Sequence, residues 1–457
     1  MKKSLLFIFY AFIAYQSNAQ TKIQIFDKVL YFDGYGAKVD TPLPPAGVIR
    51  HQNYLYARKM TDVELSSIGS SLQMKVTVKA SCDNYDRIGN VNMALVSKDS
   101  STYNPKNVPR IELGRFITPF MNKNVMPDSV PYLFDINNVA LLMKDTGITN
   151  HYNIWIELEI FGVPYAANTQ VAGCSGRNDV FFGSLVFITN TIPPVKSNNV
   201  LIPISISANF NNYQISATDT IGKTTRTFQV EIPTAFTDAS FYLITSNHGS
   251  NTGGEEYNRR NHFVYVDDTF KLKYKPGRTS CEPFRKYNTQ ANGIYGSGPR
   301  TSSQWQSFSN WCPGDKIDIR RIDMGSMSSG THKFKIEVPD AVFTGGQGNF
   351  PLSVYLHGKT SGKIDNPLDT MAVIVTPVDS ISATVKIYPN PVSDILTIEG
   401  KGISTVVIMD QLGRNVYNRN DFTDKLRLNC SQFPCGMYIA RLIVNGQIIY
   451  KKFVVGR

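Results

Sequence analysis

Residues 81–95 read SCDNYDRIGNVNMAL and place a cysteine, two aspartates, a tyrosine and an arginine within six positions, 82–87. Over residues 72–79, apolar and polar side chains alternate, and this period of two is typical of a half-buried β-strand. A second strand is predicted over residues 91–95. The charged cluster therefore lies in a loop at the rim of a sheet, where rigid scaffolds commonly carry functional residues. A surface turn with an Asp–Arg ion pair is the alternative interpretation.

The same period recurs through the middle of the chain, where predicted strands are separated by turn residues. These strands are residues 152–161, 180–189, 200–206, 225–232, 241–245, 263–266 and 333–338. A helical turn is predicted at residues 139–144. The pattern indicates an all-β chain of sandwich type. Breaks near residue 195 and at residues 378–383 divide it into two sandwiches and a small C-terminal domain.

Residues 1–19 have the pattern of a secretory signal peptide, with two lysines, an apolar run at 5–14 and a small-residue cleavage site. That run is too short to cross a bilayer comfortably, and no later segment has eighteen uninterrupted apolar residues. We therefore expect an exported protein with no membrane span. The net charge of +11 arises from scattered basic residues, which form no arm or aromatic–basic platform for nucleic acid.

Three motifs resemble those of the peptide-N-glycosidase F family. Residues 82–87, CDNYDR, are similar to the family's C-D-aromatic-aromatic-D-R signature, with an asparagine at one aromatic position. Residues 113–120, LGRFITPF, and residues 311–314, WCPG, follow in the family's order. The resemblance covers about residues 24–380. It implies two adjacent eight-stranded jelly-roll β-sandwiches, with the active site in their shared interface.

The C-terminal end resembles a type IX secretion sorting domain. The residues that carry this resemblance are Tyr388-Pro389-Asn390-Pro391, Gly413, Gly436-Met437-Tyr438 and Lys451-Lys452. It implies contact with the type IX secretion machinery and export across the outer membrane, followed by surface attachment or release. A small carbohydrate-binding sandwich is the alternative. The predicted domains are thus 1–19, 20–194, 195–380 and 384–457.

The family resemblance implies hydrolysis of the amide that joins the first GlcNAc of an N-glycan to asparagine. The partners would be N-linked glycoproteins or glycopeptides, with no cofactor and no metal, and we expect a monomer. Because an amide is a poor electrophile, the enzyme must activate water and assist the leaving amine. Carboxylates are the groups expected to move these protons.

The resemblance assigns three catalytic carboxylates: Asp86 matches the principal catalytic aspartate, Glu256 a loop glutamate and Glu157 the third functional carboxylate. Glu157 lies in the predicted strand 152–161, on the face that also carries Trp155 and Glu159, and this grouping is suited to sugar binding. An ordinary solvent-facing strand edge is the alternative for Glu157.

The Glu256 assignment carries a departure from the family pattern. The cysteines that flank the family's glutamate are replaced here by Gly254 and Asn258, so a disulfide that would stiffen the loop is missing. Glu255 is a register-shifted rival, and a solvated charge cluster with the neighbouring arginines is the alternative interpretation.

The expected substrate-binding residues are Arg87, Tyr85, Glu159, Trp311 and His248. Tyr85 stands where the family has tryptophan and can still stack on sugar. Trp311 can pack on sugar, although a tryptophan beside a disulfide commonly belongs to the core. The family's arginine three residues before the WCPG tryptophan is absent, because residues 307–310 read SFSN.

Six cysteines in an exported chain indicate disulfides, and the absence of any CxxC pair argues against a zinc site. The resemblance implies a Cys281–Cys312 disulfide. The family's earlier loop cysteine is missing, so Cys82 is assigned to Cys174 instead. Cys430 and Cys435 lie close in sequence and are assigned to a local bridge.

Two other function classes compete with the amidase. A non-catalytic glycan-binding surface protein on the same scaffold is favoured by the missing loop cysteines and arginine, but opposed by the three retained carboxylates. A copper monooxygenase is rejected, because the six histidines contain no His-x-His pair.

Overall fold

The computed structural model describes residues 20–211, 224–232, 234–250, 253–343, 348–362, 385–410, 414–420, 424–444 and 447–456. The predicted signal peptide, the predicted break at 378–383 and the Gly413 position lie outside the described residues. Within these ranges, antiparallel strands form six sheets, which confirms the all-β prediction.

The first sandwich contains two sheets around one core. Its own strands are β1 (Gln20–Phe32), β2 (Val48–Gln52), β3 (Leu55–Lys59), β4 (Leu72–Ala80), β5 (Ile88–Ser97), β6 (Arg110–Ile117), β7 (Ser129–Asp135), β8 (Tyr152–Ile160) and β9 (Asp179–Asn190). One sheet has the order β1-β9-β4-β7. The alternating apolar residues of β4 are buried in this core, as their period of two predicts.

The second sandwich follows the break near residue 195. The strands in this part of the chain are β10 (Asn198–Asn209), β11 (Thr225–Ile232), β12 (Phe236–Thr245), β13 (His262–Val266), β14 (Thr269–Tyr274), β15 (Lys316–Ile317), β16 (Arg320–Met327), β17 (Gly330–Glu337) and β18 (Pro351–Thr360). Two four-stranded sheets, β10-β18-β12-β16 and β11-β17-β13-β14, enclose a separate core.

Strand β15 belongs by position to the second predicted domain, yet it pairs with β6 of the first sandwich. It thereby completes a six-stranded sheet of order β15-β6-β5-β8-β3-β2. The backbone N–H of Gly314, in the WCPG motif, also donates to the carbonyl of Ile117 in the LGRFITPF motif. Two of the sequence motifs are therefore joined directly by a backbone hydrogen bond.

The C-terminal domain is a small seven-stranded unit within the described residues. Its strands are β19 (Lys386–Tyr388), β20 (Ile395–Glu399), β21 (Ile403–Met409), β22 (Asn415–Asn420), β23 (Lys425–Asn429), β24 (Gly436–Val444) and β25 (Gln447–Val455). The predicted Cys430–Cys435 bridge is wrong, because the Cys430 thiol is buried in the core of this domain whereas Cys435 is exposed.

Helices are short and serve as connections. They are α1 (Asp62–Ser67), α2 (Asn137–Lys144), α3 (Thr146–Thr149), α4 (Ala167–Gln170) and α5 (Ser302–Gln306), with 3-10 turns at Pro105–Asn107 and Glu282–Tyr287. The predicted helical turn at 139–144 lies inside α2. No helix in the described part of the chain has the length and apolar character needed to cross a bilayer.

Both remaining disulfide predictions are confirmed. Cys82 and Cys174 are bonded with a Cα–Cα distance of 5.5 Å, and Cys281 and Cys312 with one of 5.4 Å. The first disulfide joins the loop after β4 to the segment that follows α4. The second closes the segment that ends in the WCPG motif.

Candidate active site

The loop between β4 and β5 presents Asp86, and the LGRFITPF motif braces it. The Thr118 hydroxyl accepts a hydrogen bond from the backbone N–H of Arg87 at 2.7 Å and donates to the carbonyl of Tyr85 at 3.2 Å. One side chain thus fixes the backbone on both sides of Asp86. The LGRFITPF motif therefore holds in place the loop that contains the CDNYDR motif.

Asp83 also holds this loop in place, through hydrogen bonds to its buried carboxylate. Its buried carboxylate accepts the Arg87 Nε–H at 2.7 Å and the backbone N–H groups of Tyr85 and Val163 at 2.9 and 2.7 Å. The Asp–Arg ion pair anticipated by the alternative interpretation is therefore made by Asp83, and it is buried on the aspartate side. Arg87 is held beside Asp86 as a consequence.

Asn84 explains the departure from the family's aromatic signature. Its side chain is fully buried and donates to Gln170 Oε1 at 2.7 Å. Gln170 is the last residue of α4, close to the Cys82–Cys174 disulfide. The side-chain amide of Asn84 therefore stands at the family's aromatic position, and its hydrogen bond with Gln170 ties the Asp86 loop to α4.

Glu256 lies in a loop of the second sandwich, and Asn310, the residue before WCPG, holds this loop in place. Glu256 Oε2 accepts the backbone N–H of Gly249 at 2.9 Å. The Asn310 side chain donates to the backbone carbonyls of Glu255 and Glu256 at 2.7 and 2.5 Å. Asn310 therefore supplies part of the stiffness that the missing loop disulfide would provide.

The rival Glu255 has a different environment. Its carboxylate forms an ion pair with Arg260 at 2.8 Å and accepts the backbone N–H of Val342 at 3.1 Å. Glu255 is buried in these contacts, whereas Glu256 lines a cavity. Of the two neighbouring glutamates, the cavity wall therefore includes Glu256 and not Glu255.

A cavity of about 750 Å³ lies between the Asp86 loop and the Glu256 loop. Six of the predicted site residues line it: Asp86, Arg87, Tyr85, Glu256, His248 and Trp311. The sequence did not indicate Gln170, Tyr257 and Phe308, which also contribute to the wall. Two carboxylates from different sandwiches therefore share one enclosure.

The two carboxylates have perturbed protonation. Burial raises the pKa of Asp86 to about 7, with a further contribution from the nearby Glu256 charge and opposition from Arg87. Burial also raises the pKa of Glu256, while the Gly249 N–H opposes this shift. Near neutral pH, Asp86 can therefore both give and take a proton, as general acid–base catalysis requires.

His248 is a neutral hydrogen-bonding group in this site. Burial, assisted by the Arg115 charge, lowers the pKa of His248 to about 3. Its Nε2 lies 2.7 Å from the Ser246 hydroxyl, and its ring is 5.9 Å from that of Trp311. The Trp311 indole N–H in turn donates to the Asn247 carbonyl at 2.9 Å.

Arg115, in LGRFITPF, connects the two sandwiches beneath the cavity and was not predicted as functional. Its fully buried guanidinium donates to both Glu112 carboxylate oxygens, at 2.8 and 2.7 Å. It also donates to the Ser246 hydroxyl at 2.9 Å and the Pro351 carbonyl at 2.8 Å. Because Ser246 contacts His248, Arg115 links the first sandwich to the loop that carries Gly249.

The structure places Glu157 outside the cavity. Its carboxylate accepts from Arg110 Nε at 2.8 Å, Tyr103 Oη at 2.8 Å and Asn92 Nδ2 at 3.0 Å. The side chain is fully buried, and β8 lies inside its sheet, so the solvent-facing alternative is wrong. The catalytic role assigned to Glu157 stays a prediction.

Glu159 shares the face of β8 with Glu157, as predicted, but it also does not line the cavity. The residue as a whole is partly exposed, but its carboxylate lies buried beside Asn90, and this burial raises the pKa of Glu159 to about 7. Its predicted contact with substrate stays a prediction.

Phe308 stands three residues before Trp311, where the family has arginine. Its ring lies parallel to that of Tyr257, with the centroids 4.7 Å apart. The Arg300 guanidinium lies 5.4 Å from the Phe308 centroid. The wall at this position is therefore aromatic. The nearby positive charge belongs to Arg300, which contacts the Phe308 ring, and not to residue 308 itself.

Family models match three parts of the chain. Those described as "Peptide-N-glycosidase F, N terminal" and "Peptide-N-glycosidase F, C terminal" match residues 22–175 and 216–357. A model for a "Secretion system C-terminal sorting domain" matches residues 386–456. This last match identifies the chain as a type IX secretion substrate, secreted or held at the cell surface. No curated protein matches the chain significantly.

Two solved structures are similar to this chain. A PNGF-II structure is 19% identical, with a TM-score of 0.53, over 74% of this chain and 65% of that one. PNGase F from Flavobacterium meningosepticum is 15% identical, with a TM-score of 0.48, over 76% of this chain and 98% of that one. The chain thus spans about two thirds of the length of the PNGF-II chain. At this identity, the likeness to PNGF-II establishes architecture alone.

Proposed function

Since the chain belongs to the peptide-N-glycosidase F family, we propose that it hydrolyses the amide between the first GlcNAc of an N-glycan and asparagine. The substrates would be glycoproteins or glycopeptides. The observation that carries the proposal is the convergence of Asp86 and Glu256, from two sandwiches, on one cavity where both carboxyl pKa values are raised.

In the proposed reaction, water adds to the asparagine side-chain carbonyl, the carbon–nitrogen bond breaks and the nitrogen leaves on the sugar as a glycosylamine. Asp86, with a pKa of about 7, takes a proton from the water and returns one to the leaving nitrogen. Glu256 orients the water, because the Gly249 N–H holds its carboxylate in place. The peptide product carries aspartate.

Binding groups surround this pair. Tyr85 and Trp311 offer aromatic faces to the apolar side of a sugar ring, and Tyr257 with Phe308 forms a further aromatic wall. Arg87, anchored by the buried Asp83 carboxylate, presents fixed donors to amide or hydroxyl oxygens. Its anchoring reduces the conformational freedom lost on substrate binding.

Mass spectrometry of an N-glycopeptide incubated with the protein tests the proposal. Amidase action converts asparagine to aspartate, a gain of about one dalton, whereas cleavage between two sugars leaves a GlcNAc attached. The Asp86→Asn variant should lose about a hundred- to ten-thousand-fold in rate. Asp128→Asn is the matched control, because Asp128 pairs with Lys79 and does not line the cavity.

A non-catalytic glycan-binding protein is the second candidate. It is favoured by the position of Glu157, which Arg110 holds outside the cavity, and by the phenylalanine at position 308. A wild-type protein that binds several N-glycopeptides without converting any of them would establish this candidate over the amidase.

A further inference from the structure

Four aromatic residues form a strip on the surface of the first sandwich, and the proposed chemistry does not use them. We call Tyr35, Tyr54, Phe161 and Tyr165 the aromatic strip. The Tyr35 side chain is 73% exposed and that of Tyr165 60% exposed. The Phe161 ring contacts two of the tyrosines, with its centroid 5.1 Å from that of Tyr35 and 5.9 Å from that of Tyr54.

A glycine at position 34 allows the loop that carries Tyr35 to pack closely on Phe161. A side chain at position 34 would collide with the Phe161 ring, because a Cβ there would lie 2.4 Å from it. Glycine at this position lets the loop that carries Tyr35 lie directly on Phe161. The Gly34 N–H also donates to the Gly162 carbonyl at 2.8 Å, which fixes the loop against the end of β8.

The strip adjoins the cavity. The Phe161 N–H donates to the carbonyl of Ile88 at 3.2 Å, and Ile88 is part of the cavity wall. Phe161 is therefore one strand away from the wall, and the Tyr35 ring contacts the Phe161 ring. At its other end, the segment that carries Tyr165 continues into α4, whose Gln170 also lines the cavity.

Carboxylates border the aromatic rings. Asp33 accepts the Tyr35 backbone N–H at 3.0 Å and interacts with the Tyr165 hydroxyl. Glu159 lies close enough to Tyr54 to add to the effect of burial in raising the pKa of the Tyr54 hydroxyl. The strip therefore combines exposed ring faces with hydrogen-bond acceptors and hydroxyls.

We propose that the aromatic strip binds the outer sugar units of the glycan whose first GlcNAc occupies the cavity, through stacking on Tyr35 and Tyr165 with hydroxyl contacts to Asp33. This inference rests on the proposed function. Rings bordered by carboxylates match the chemistry of a sugar, which presents C–H groups on one face and hydroxyl donors at its edge.

The occupant is glycan rather than peptide for a geometric reason. The strip lies at the loop ends of β3 and β8, which are interior strands of the six-stranded sheet. A peptide that added itself as a strand would need the unpaired edge of a sheet, which β3 and β8 do not offer. A branched chain of sugars needs only the exposed faces and acceptors.

The test compares two substrates that share one peptide, one carrying a full high-mannose glycan and the other only its two core GlcNAc units. In the Tyr35→Ala/Tyr165→Ala double variant, KM for the full glycan should rise roughly tenfold. The values of kcat, and KM for the trimmed glycan, should stay at the wild-type level. Phe270→Ala, which removes another exposed aromatic residue (54%) from β14, is the matched control and should change neither.

Three results would overturn the proposal: an unchanged KM for both substrates, an equal rise for both, or a rise that follows the length of the peptide. If the wild type cleaves no glycopeptide, NMR titration with the free high-mannose oligosaccharide tests glycan binding by the strip independently of the amidase activity. Binding that the double variant loses would support the strip while the amidase proposal fails. Binding that survives in the double variant, or no binding by the wild type, would refute the strip.

Discussion

Replacement of Asp86 by asparagine should stabilise the fold while it lowers the rate of hydrolysis. Burial holds the pKa of this carboxyl at about 7, against 3.8 in an unperturbed aspartate. A carboxyl whose pKa is higher in the folded chain than in the unfolded chain costs stability as the pH rises. Below about pH 4 both states are protonated and the cost is absent; above about pH 7 it is complete.

The size of this effect follows from the shift. About three pKa units correspond to about 4 kcal/mol at 1.36 kcal/mol per unit. Asp86 is only partly buried and keeps some contact with water, so we expect a smaller gain, about 1–3 kcal/mol at pH 8. Asparagine resembles the protonated carboxyl in shape and polarity, so it removes the cost of ionisation without opening a cavity.

The assay is urea unfolding of wild type and Asp86→Asn at pH 4 and pH 8, in parallel with glycopeptide hydrolysis. The variant should have the higher midpoint at pH 8 and an equal one at pH 4. The Asp128→Asn control, which loses a 2.8 Å ion pair with Lys79, should gain no stability at pH 8. An Asp86→Asn variant that is less stable than wild type at pH 8, or whose stability difference is independent of pH, would refute the reasoning.

Three further outcomes are expected. Glu256→Gln removes a negative charge that raises the pKa of Asp86, so any residual hydrolysis should have its pH profile displaced to lower pH. Arg115→Met leaves a buried carboxylate without its partner and should cost about 3–5 kcal/mol in thermal or urea unfolding, with loss of activity. The double variant Cys281→Ser/Cys312→Ser opens a disulfide with a sequence separation of 31 and should lose about 3–4 kcal/mol, measured under non-reducing conditions.

The sequence predicts the strands and the Asp86 loop well because these depend on local pattern. The alternation at residues 72–79 corresponds to β4, and residues 91–95 lie within β5. The three motifs also identified segments that meet in space. Thr118 lies within LGRFITPF and Asn310 directly precedes WCPG, so a structural role for both could have been suspected, but their hydrogen-bond partners are set by tertiary contacts.

The sequence does not predict long-range pairing of charges. Glu157 was assigned to the site from the family resemblance, but its ion pair with Arg110 and its hydrogen bond with Tyr103, respectively 47 and 54 residues away, could not be read from the sequence. The predicted Cys430–Cys435 bridge is wrong because spacing along the chain does not fix the direction of the side chains. A short separation in sequence brings two backbones together, but strand geometry decides which side chain enters the core and which faces water.

The position of β15 has a consequence for how this protein can be divided. A chain that ended after the first sandwich would lack residues 316–317 and would expose β6 as an unprotected edge. It would also leave Arg115 without its partners on Ser246 and Pro351. Such a fragment is expected to self-associate through that edge. The two sandwiches are thus better regarded as a single unit in evolution. Recombination near residue 195 would separate them and would be selected against.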